Sequence, residues 1–139
     1  MIVKNLDGVI PAAGEASEDT ELLDLVRKAT SEELPEAFDR FAFSVGIEAW
    51  LRAVFACNQY VDAQAPWALR KTDPERMAAV LGTLVAAVRE LAEAIAPIIP
   101  QSAEKLLASI AAGDGGAPIA QPTPLFPRLE LPEDEEAAA

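Results

Sequence analysis

The residues of this 139-residue chain whose types and spacing could do chemistry lie near its middle, around a Pro–Trp pair. Trp67 directly follows Pro66, and two cations, Arg70 and Lys71, come within the next four residues. An indole offers a flat face on which a nucleobase can stack, and neighbouring cations can hold phosphate. The same pattern also fits a packing role, in which Trp67 fills the gap between two helices, so both interpretations stay open at this point.

Several polar or reactive side chains precede this pair. Asn58 and Tyr60 could each hydrogen-bond at a helix end or contact a ligand, whereas Asp62 is expected to be structural. Cys57 lies near the apolar face of the same predicted helix and has no basic neighbour in sequence that could activate its thiol. We therefore expect Cys57 to be an inert, buried thiol.

The sequence contains no recognisable catalytic or metal-binding pattern. It has no His and one Cys, which excludes a Cys/His zinc site, a His base and an internal disulfide. The glycines at 113–116 follow a predicted helix rather than a strand, which argues against a phosphate loop. Carboxylates are numerous, but they are expected to lie in solvated runs. We predict no catalytic residue, no metal site and no bound cofactor in this chain.

The net charge of −12 is unevenly distributed. Residues 15–36 carry −6 and residues 129–139 carry −5, whereas residues 37–128 carry only −1. The middle of the chain can therefore meet an anion locally, although it is no broad basic surface. We see neither a signal peptide nor an uninterrupted apolar run of membrane-spanning length, so we expect a cytoplasmic protein without a membrane partner.

Hydrophobic periodicity predicts an all-α fold, a four- to five-helix bundle followed by an extended, Pro-rich C-terminal segment. One domain is expected over residues 1–130, with an acidic, disordered tail over 131–139. The first four helices are expected to begin at Thr20, Ser31, Ser44 and Asp73, and the last at either Pro100 or Ser102. Residues 1–19 are expected to be irregular, and residues 66–71 to form a short turn. The helix from Ser44 to about Ala63 is expected to bury Ile47, Leu51, Val54, Phe55 and Val61, while Phe41 points inward and Leu125-Phe126 packs back onto the bundle.

A longer motif around the Pro–Trp pair resembles a known family. The motif is Asn58-x-Tyr60-Val-Asp62-x-Gln64-Ala-Pro66-Trp67-Ala-Leu69-x-Lys71, and it closely resembles the anticodon-binding domain of bacterial methionyl-tRNA synthetases. The similarity spans about residues 2–130 and includes Asn5-Leu6-Asp7-Gly8, Asp73-Pro74-x-Arg76-Met77, Arg89, Ile98-Ile99-Pro100-x-Ser102-Ala103 and Pro124-Leu125-Phe126-Pro127-Arg128. The last of these motifs favours the methionine enzymes over the related isoleucine, leucine and valine enzymes.

The resemblance implies a helical bundle that grips the anticodon stem-loop of a tRNA. It implies that Trp67 stacks on an anticodon base and that Asn58, Arg70 and Lys71 lie near the loop. It also implies a second partner, the catalytic Rossmann domain of the same enzyme, which binds ATP and methionine and joins methionine to the tRNA. This chain lacks the motifs of that domain, so we expect a fragment that is not catalytic alone.

One departure from the family concerns the helix before the Asn5-Leu6-Asp7-Gly8 linker. The family reads the anticodon partly with an Asn and an Arg on that helix, at positions that would precede Met1. We therefore expect a truncated first helix and exposed apolar surface where the missing part would pack. The alternative function is a helical protein-interaction or dimerisation module that does not bind RNA.

Overall fold

The computed structural model describes residues 1–130 and contains no β-strand within them. The acidic tail expected over 131–139 lies outside the described residues. The helices are α1 (Ile2–Asn5), α2 (Ser17–Lys28), α3 (Leu34–Asp39), α4 (Phe43–Gln64), α5 (Pro66–Thr72), α6 (Pro74–Ile95) and α7 (Pro100–Ala111). Four long helices form the bundle, and residues 117–130 follow without regular structure. The all-α class and the extended C-terminal segment are confirmed.

Helix starts show where local signals succeed and where they fail. At α6 the Asp73 carboxylate accepts from the Arg76 N–H at 3.1 Å, and Pro74 occupies the first helical position, as predicted. The predicted cap at Thr20 is wrong, because α2 already begins at Ser17. The predicted start at Ser31 is also wrong, because a π-helical turn over Ala29–Glu33 joins α2 to α3 without a break.

The buried face of α4 differs from the prediction. It is formed by Tyr60 and by four small residues, namely Gly46, Ala49, Ala53 and Cys57. Leu51 and Phe55, predicted to be buried, are exposed. Small side chains let neighbouring helices approach closely, and a hydrophobicity pattern gives Gly and Ala too little weight. The expected burial of Cys57 is confirmed, and that burial raises the pKa of its thiol.

Helix α6 is the centre of the bundle, since it contacts α2, α4, α5 and α7. Met77, Val80 and Thr83 on α6 are fully buried. The core around them draws on three helices and contains Leu22, Leu23, Val26, Ala53, Cys57, Tyr60, Val80, Ala87 and Leu91. The prediction that Phe41 points inward is wrong, because its side chain is 80% exposed at the corner between α3 and α4.

Close backbone contacts hold the N-terminal segment against the bundle. A Cβ at Gly82 would overlap the carbonyl oxygen of Ala12, so the chain can cross α6 here only over a glycine. The Gly14 N–H then donates to Thr83 Oγ1 at 2.9 Å. These contacts order a region that was predicted to be irregular and that also contains the short helix α1.

The C-terminal segment returns along the bundle to the same end. The Ile119 N–H donates to the Gly8 carbonyl at 2.9 Å, which places the segment beside α1. Further along, Leu125 and Phe126 line an apolar cavity with residues of α4, α6 and α7. The expected return of the Leu125-Phe126 pair is thus confirmed for Leu125, whereas Phe126 stays 70% exposed.

Candidate functional site

The junction between α4 and α5 positions the Pro–Trp pair. Helix α4 ends at Gln64, and Ala65 adopts a left-handed conformation with φ 44° and ψ 63°. Pro66 then begins α5, which is a helix of 7 residues rather than the predicted turn. The Ala65 carbonyl accepts from the N–H groups of Ala68 and Leu69, so the left-handed residue ends one helix and starts the next.

Trp67 points away from the core at this junction. Pro66 is buried, whereas Trp67 is 55% exposed. Trp50 behaves differently, because it is half-buried and its Nε1–H donates to the Leu91 carbonyl at 2.9 Å. Trp67 is therefore not a buried core residue, and more than half of its surface is open to solvent.

Trp67 lines a cleft of about 470 Å³. Arg70 lines it from α5, Met1, Lys4 and Asn5 line it from the N-terminus, and Gln121 lines it from the C-terminal segment. Arg70 Nη1 donates to Asn5 Oδ1 at 3.3 Å, and this hydrogen bond joins α5 to α1. Among the described residues that line the cleft, none is acidic, although the chain as a whole carries −12.

The cleft combines the groups that hold a single nucleotide. The indole of Trp67 offers a stacking face, Lys4 and Arg70 can meet phosphate, and the Asn5 and Gln121 carboxamides can pair with polar edges of a base. Sequence reasoning missed Lys4, Asn5 and Gln121. Lys4 and Asn5 belong to the N-terminal segment that crosses α6 at Gly82, and the contact between Gly8 and Ile119 joins this segment to the one that carries Gln121. Nothing in the local sequence signals either contact.

The other two predicted site residues lie outside this cleft. Lys71 is exposed on α5, next to Arg70. Asn58 is exposed on α4 and borders the apolar cavity that Leu125 and Phe126 line. It lies six residues before the end of α4, about 9 Å along the helix axis. Its contact with a ligand stays a prediction.

A polar network centred on the buried Asp19 reaches the α4–α5 junction through Arg76 and Gln64. The Asp19 carboxylate on α2 is fully buried and accepts from Arg76 Nη1 at 2.6 Å, from Arg76 Nη2 at 2.9 Å and from the Tyr60 hydroxyl. It also accepts from the Ala16 N–H at 3.2 Å, which is the contact that starts α2. Arg76 Nη2 in addition donates to Gln64 Oε1 at 2.8 Å. The expectation that carboxylates lie in solvated runs is therefore wrong for Asp19.

The network fixes the charge states of its members. Burial alone would favour the neutral acid at Asp19, but hydrogen bonds from Arg76 and Tyr60 outweigh it and hold the pKa below its ordinary value. Burial and the neighbouring Asp19 raise the pKa of Tyr60. The hydrogen bond to Asp19 likewise raises the pKa of Arg76. Asp19 and Arg76 are thus a permanent ion pair near neutral pH.

A family model described as the anticodon-binding domain of methionyl tRNA ligase matches residues 10–126. The chain belongs to this family. It is 38% identical to the methionine–tRNA ligase of Brucella melitensis, over 92% of this chain and 28% of the relative. It is 32% identical to that of Rhizobium meliloti, over 96% of this chain and 29% of the relative.

A solved structure supports the same membership for the fold. The structure of free methionyl-tRNA synthetase from Mycobacterium tuberculosis superimposes with a TM-score of 0.82 at 32% identity, over 95% of this chain and 30% of the other. The chain thus spans less than a third of these members of the family. Within residues 1–130, no helix combines the length and the apolar character that crossing a bilayer requires.

Proposed function

We propose that this chain recognises the anticodon stem-loop of a methionine tRNA, as the anticodon-binding domain of a methionyl-tRNA synthetase. The observation that carries the proposal is the exposed indole of Trp67 in a cleft with two cations and no acidic lining among the described residues. Membership of the anticodon-binding domain family supports it independently.

The aromatic, charged and carboxamide side chains of the cleft each have a role in this proposal. Trp67 stacks on one anticodon base, and the guanidinium of Arg70 and the ammonium of Lys4 neutralise flanking phosphates. Asn5 and Gln121 hydrogen-bond to the edge of the stacked base, which gives selectivity that stacking alone lacks. Lys71 and Asn58 contact the neighbouring nucleotides of the loop.

The chemistry of the whole enzyme lies outside this chain in the proposal. The relatives are methionine–tRNA ligases that are more than three times as long as the matched region. A catalytic domain in the same enzyme binds ATP and methionine and attaches methionine to the tRNA, in the cytoplasm. The chain contributes affinity and selection of the correct tRNA, and by itself it is not a catalyst.

The proposal is tested by the affinity for a labelled anticodon stem-loop, with a scrambled-loop hairpin as competitor. We expect the Trp67→Ala variant to lose about 1–3 kcal/mol of binding free energy, the usual contribution of one stacked base. Phe43→Ala is the matched control, because Phe43 is 50% exposed and lies at the opposite end of α4. Equal affinities of the unmodified chain for both hairpins would contradict the proposal.

A second candidate function rests on an aromatic patch at that opposite end. Phe43 packs edge-on against Phe38 at 5.0 Å and against Phe41 at 6.1 Å between ring centroids. Phe41 and Phe43 are exposed, so the patch could pair with a protein surface instead. Sedimentation over a range of concentrations distinguishes the two candidates, since a tight dimer that ignores RNA would favour the second.

A further inference from the structure

We propose that Gln64 and Arg76, anchored by Asp19, act as a positioning pair that holds Trp67 in the orientation that stacks on a base. The inference rests on the proposed function for its effect on RNA affinity. Gln64 and Arg76 need no contact with RNA for this role, because they act through the backbone that carries Trp67.

The hydrogen bond between Gln64 and Arg76 joins the two ends of the segment that carries Trp67. Gln64 is the last residue of α4, and Arg76 lies in the first turn of α6. The 2.8 Å hydrogen bond between Arg76 Nη2 and Gln64 Oε1 therefore ties the two helix ends between which α5 projects. The same guanidinium donates two hydrogen bonds to the buried Asp19 carboxylate, so it is a fixed anchor rather than a mobile surface cation.

The backbone at the junction needs such a restraint. Ala65 is left-handed, a conformation that is unfavourable for a residue with a Cβ, and it separates Gln64 from Pro66. If the tie at Gln64 were lost, Ala65 could relax to a favourable conformation and α5 would turn with it. Helix α5 is 7 residues long and packs on α6, so we expect a small reorientation of α5 on α6 rather than its release from the bundle.

Gln64→Leu tests the tie with little risk to the fold, because it leaves the Asp19–Arg76 ion pair in place. The reporter chain carries Trp50→Phe, so that Trp67 is its one tryptophan. We expect Gln64→Leu to lower the fluorescence anisotropy of Trp67 in the free chain and to weaken stem-loop binding about five-fold. Gln101→Leu is the matched control, because Gln101 is exposed in the first turn of α7.

Two further variants separate positioning from a general structural effect. Gln64→Glu keeps an oxygen that accepts from Arg76, so it should restore the anisotropy of Trp67 in the free chain. In a Trp67→Ala background, Gln64→Leu should change the affinity by less than about two-fold, since a positioning residue has nothing left to position. A five-fold loss in that background as well would show that Gln64 acts without Trp67 and would overturn the inference.

Failure of the inference is distinguishable from failure of the proposed function. If Trp67→Ala weakens binding but Gln64→Leu matches Gln101→Leu in both anisotropy and affinity, the positioning role is wrong and the proposed function stands. If the unmodified chain does not prefer the stem-loop, the proposed function is wrong. The anisotropy of the free chain then still decides whether Gln64 restrains Trp67.

Discussion

The hydroxyl of Tyr60 on α4 donates a hydrogen bond to the fully buried carboxylate of Asp19 on α2. The two residues are 41 positions apart in the sequence, and the bond joins two helices beneath the α4–α5 junction. Arg76 on α6 completes the set as the cation that compensates the buried charge. A single carboxylate thus joins α2, α4 and α6, and the last two of these helices flank α5, which carries Trp67.

Asp19→Asn is predicted to destabilise the chain by about 3 kcal/mol at neutral pH, since breaking a buried pair leaves the partner charge uncompensated. Urea unfolding measures this change. Asp24→Asn is the matched control on the same helix, because Asp24 is exposed. A loss no larger than that of the control would contradict the role of the ion pair.

The same pair predicts a pH dependence of stability. The pKa of Asp19 is depressed in the folded chain below its ordinary value of 3.8, so in acid the unfolded chain takes up the proton first. The stabilisation is therefore complete above about pH 4 and is lost as the pH falls through the folded pKa. The difference in unfolding free energy between the unmodified chain and Asp19→Asn should narrow over this acidic range. A difference that does not change with pH would contradict the assignment.

Gly82→Ala is predicted to destabilise the fold by about 1–3 kcal/mol, because the new methyl group would overlap the Ala12 carbonyl oxygen. The sign of the change in unfolding free energy shows whether the Ala12 carbonyl lies against Gly82. In an unobstructed helix interior the same change would stabilise by up to about 1 kcal/mol. Thermal or urea unfolding measures the change, and a gain in stability would show that the segment before Gly14 does not pack on α6.

Arg70→Ala is predicted to weaken binding of the anticodon stem-loop and to make that binding less sensitive to salt. Loss of one phosphate contact should reduce the slope of log affinity against log salt by about 0.7 for a single-stranded loop. Arg40→Ala is the matched control, since Arg40 is exposed after α3, at the other end of α4. An unchanged slope for Arg70→Ala would exclude a phosphate contact at Arg70.

The sequence was sufficient to predict the elements whose signals are local. The acid cap at Asp73, the proline at Pro74 and the break before Pro66 are short-range features, and the structure confirms them. The motif through Trp67 identified the family for the same reason, because its residues lie within 14 consecutive positions. The prediction of the buried face of α4 was wrong, because close packing there depends on Gly46 and Ala53, which carry little hydrophobic signal.

Half of the candidate site depended on long-range contacts that the sequence could not show. Lys4 and Asn5 face Trp67 because the N-terminal segment crosses α6 at Gly82 and pairs with the C-terminal segment at Ile119. Asp19 resembled its acidic neighbours in sequence, and only the arrival of Tyr60 and Arg76 from other helices makes it a buried anchor. Trp67 of the candidate site was therefore predictable from the sequence. Lys4, Asn5 and the hydrogen bonds of Asp19 were not.

The central claim is that the exposed face of Trp67 stacks on an anticodon base. It is tested most directly by titrating the chain that carries Trp50→Phe, in which Trp67 alone fluoresces, with a methionine anticodon stem-loop. Stacking predicts saturable quenching of Trp67 by this hairpin and little quenching by a scrambled loop. Binding of the hairpin, measured by a label on the RNA, without any change in Trp67 emission would contradict the claim.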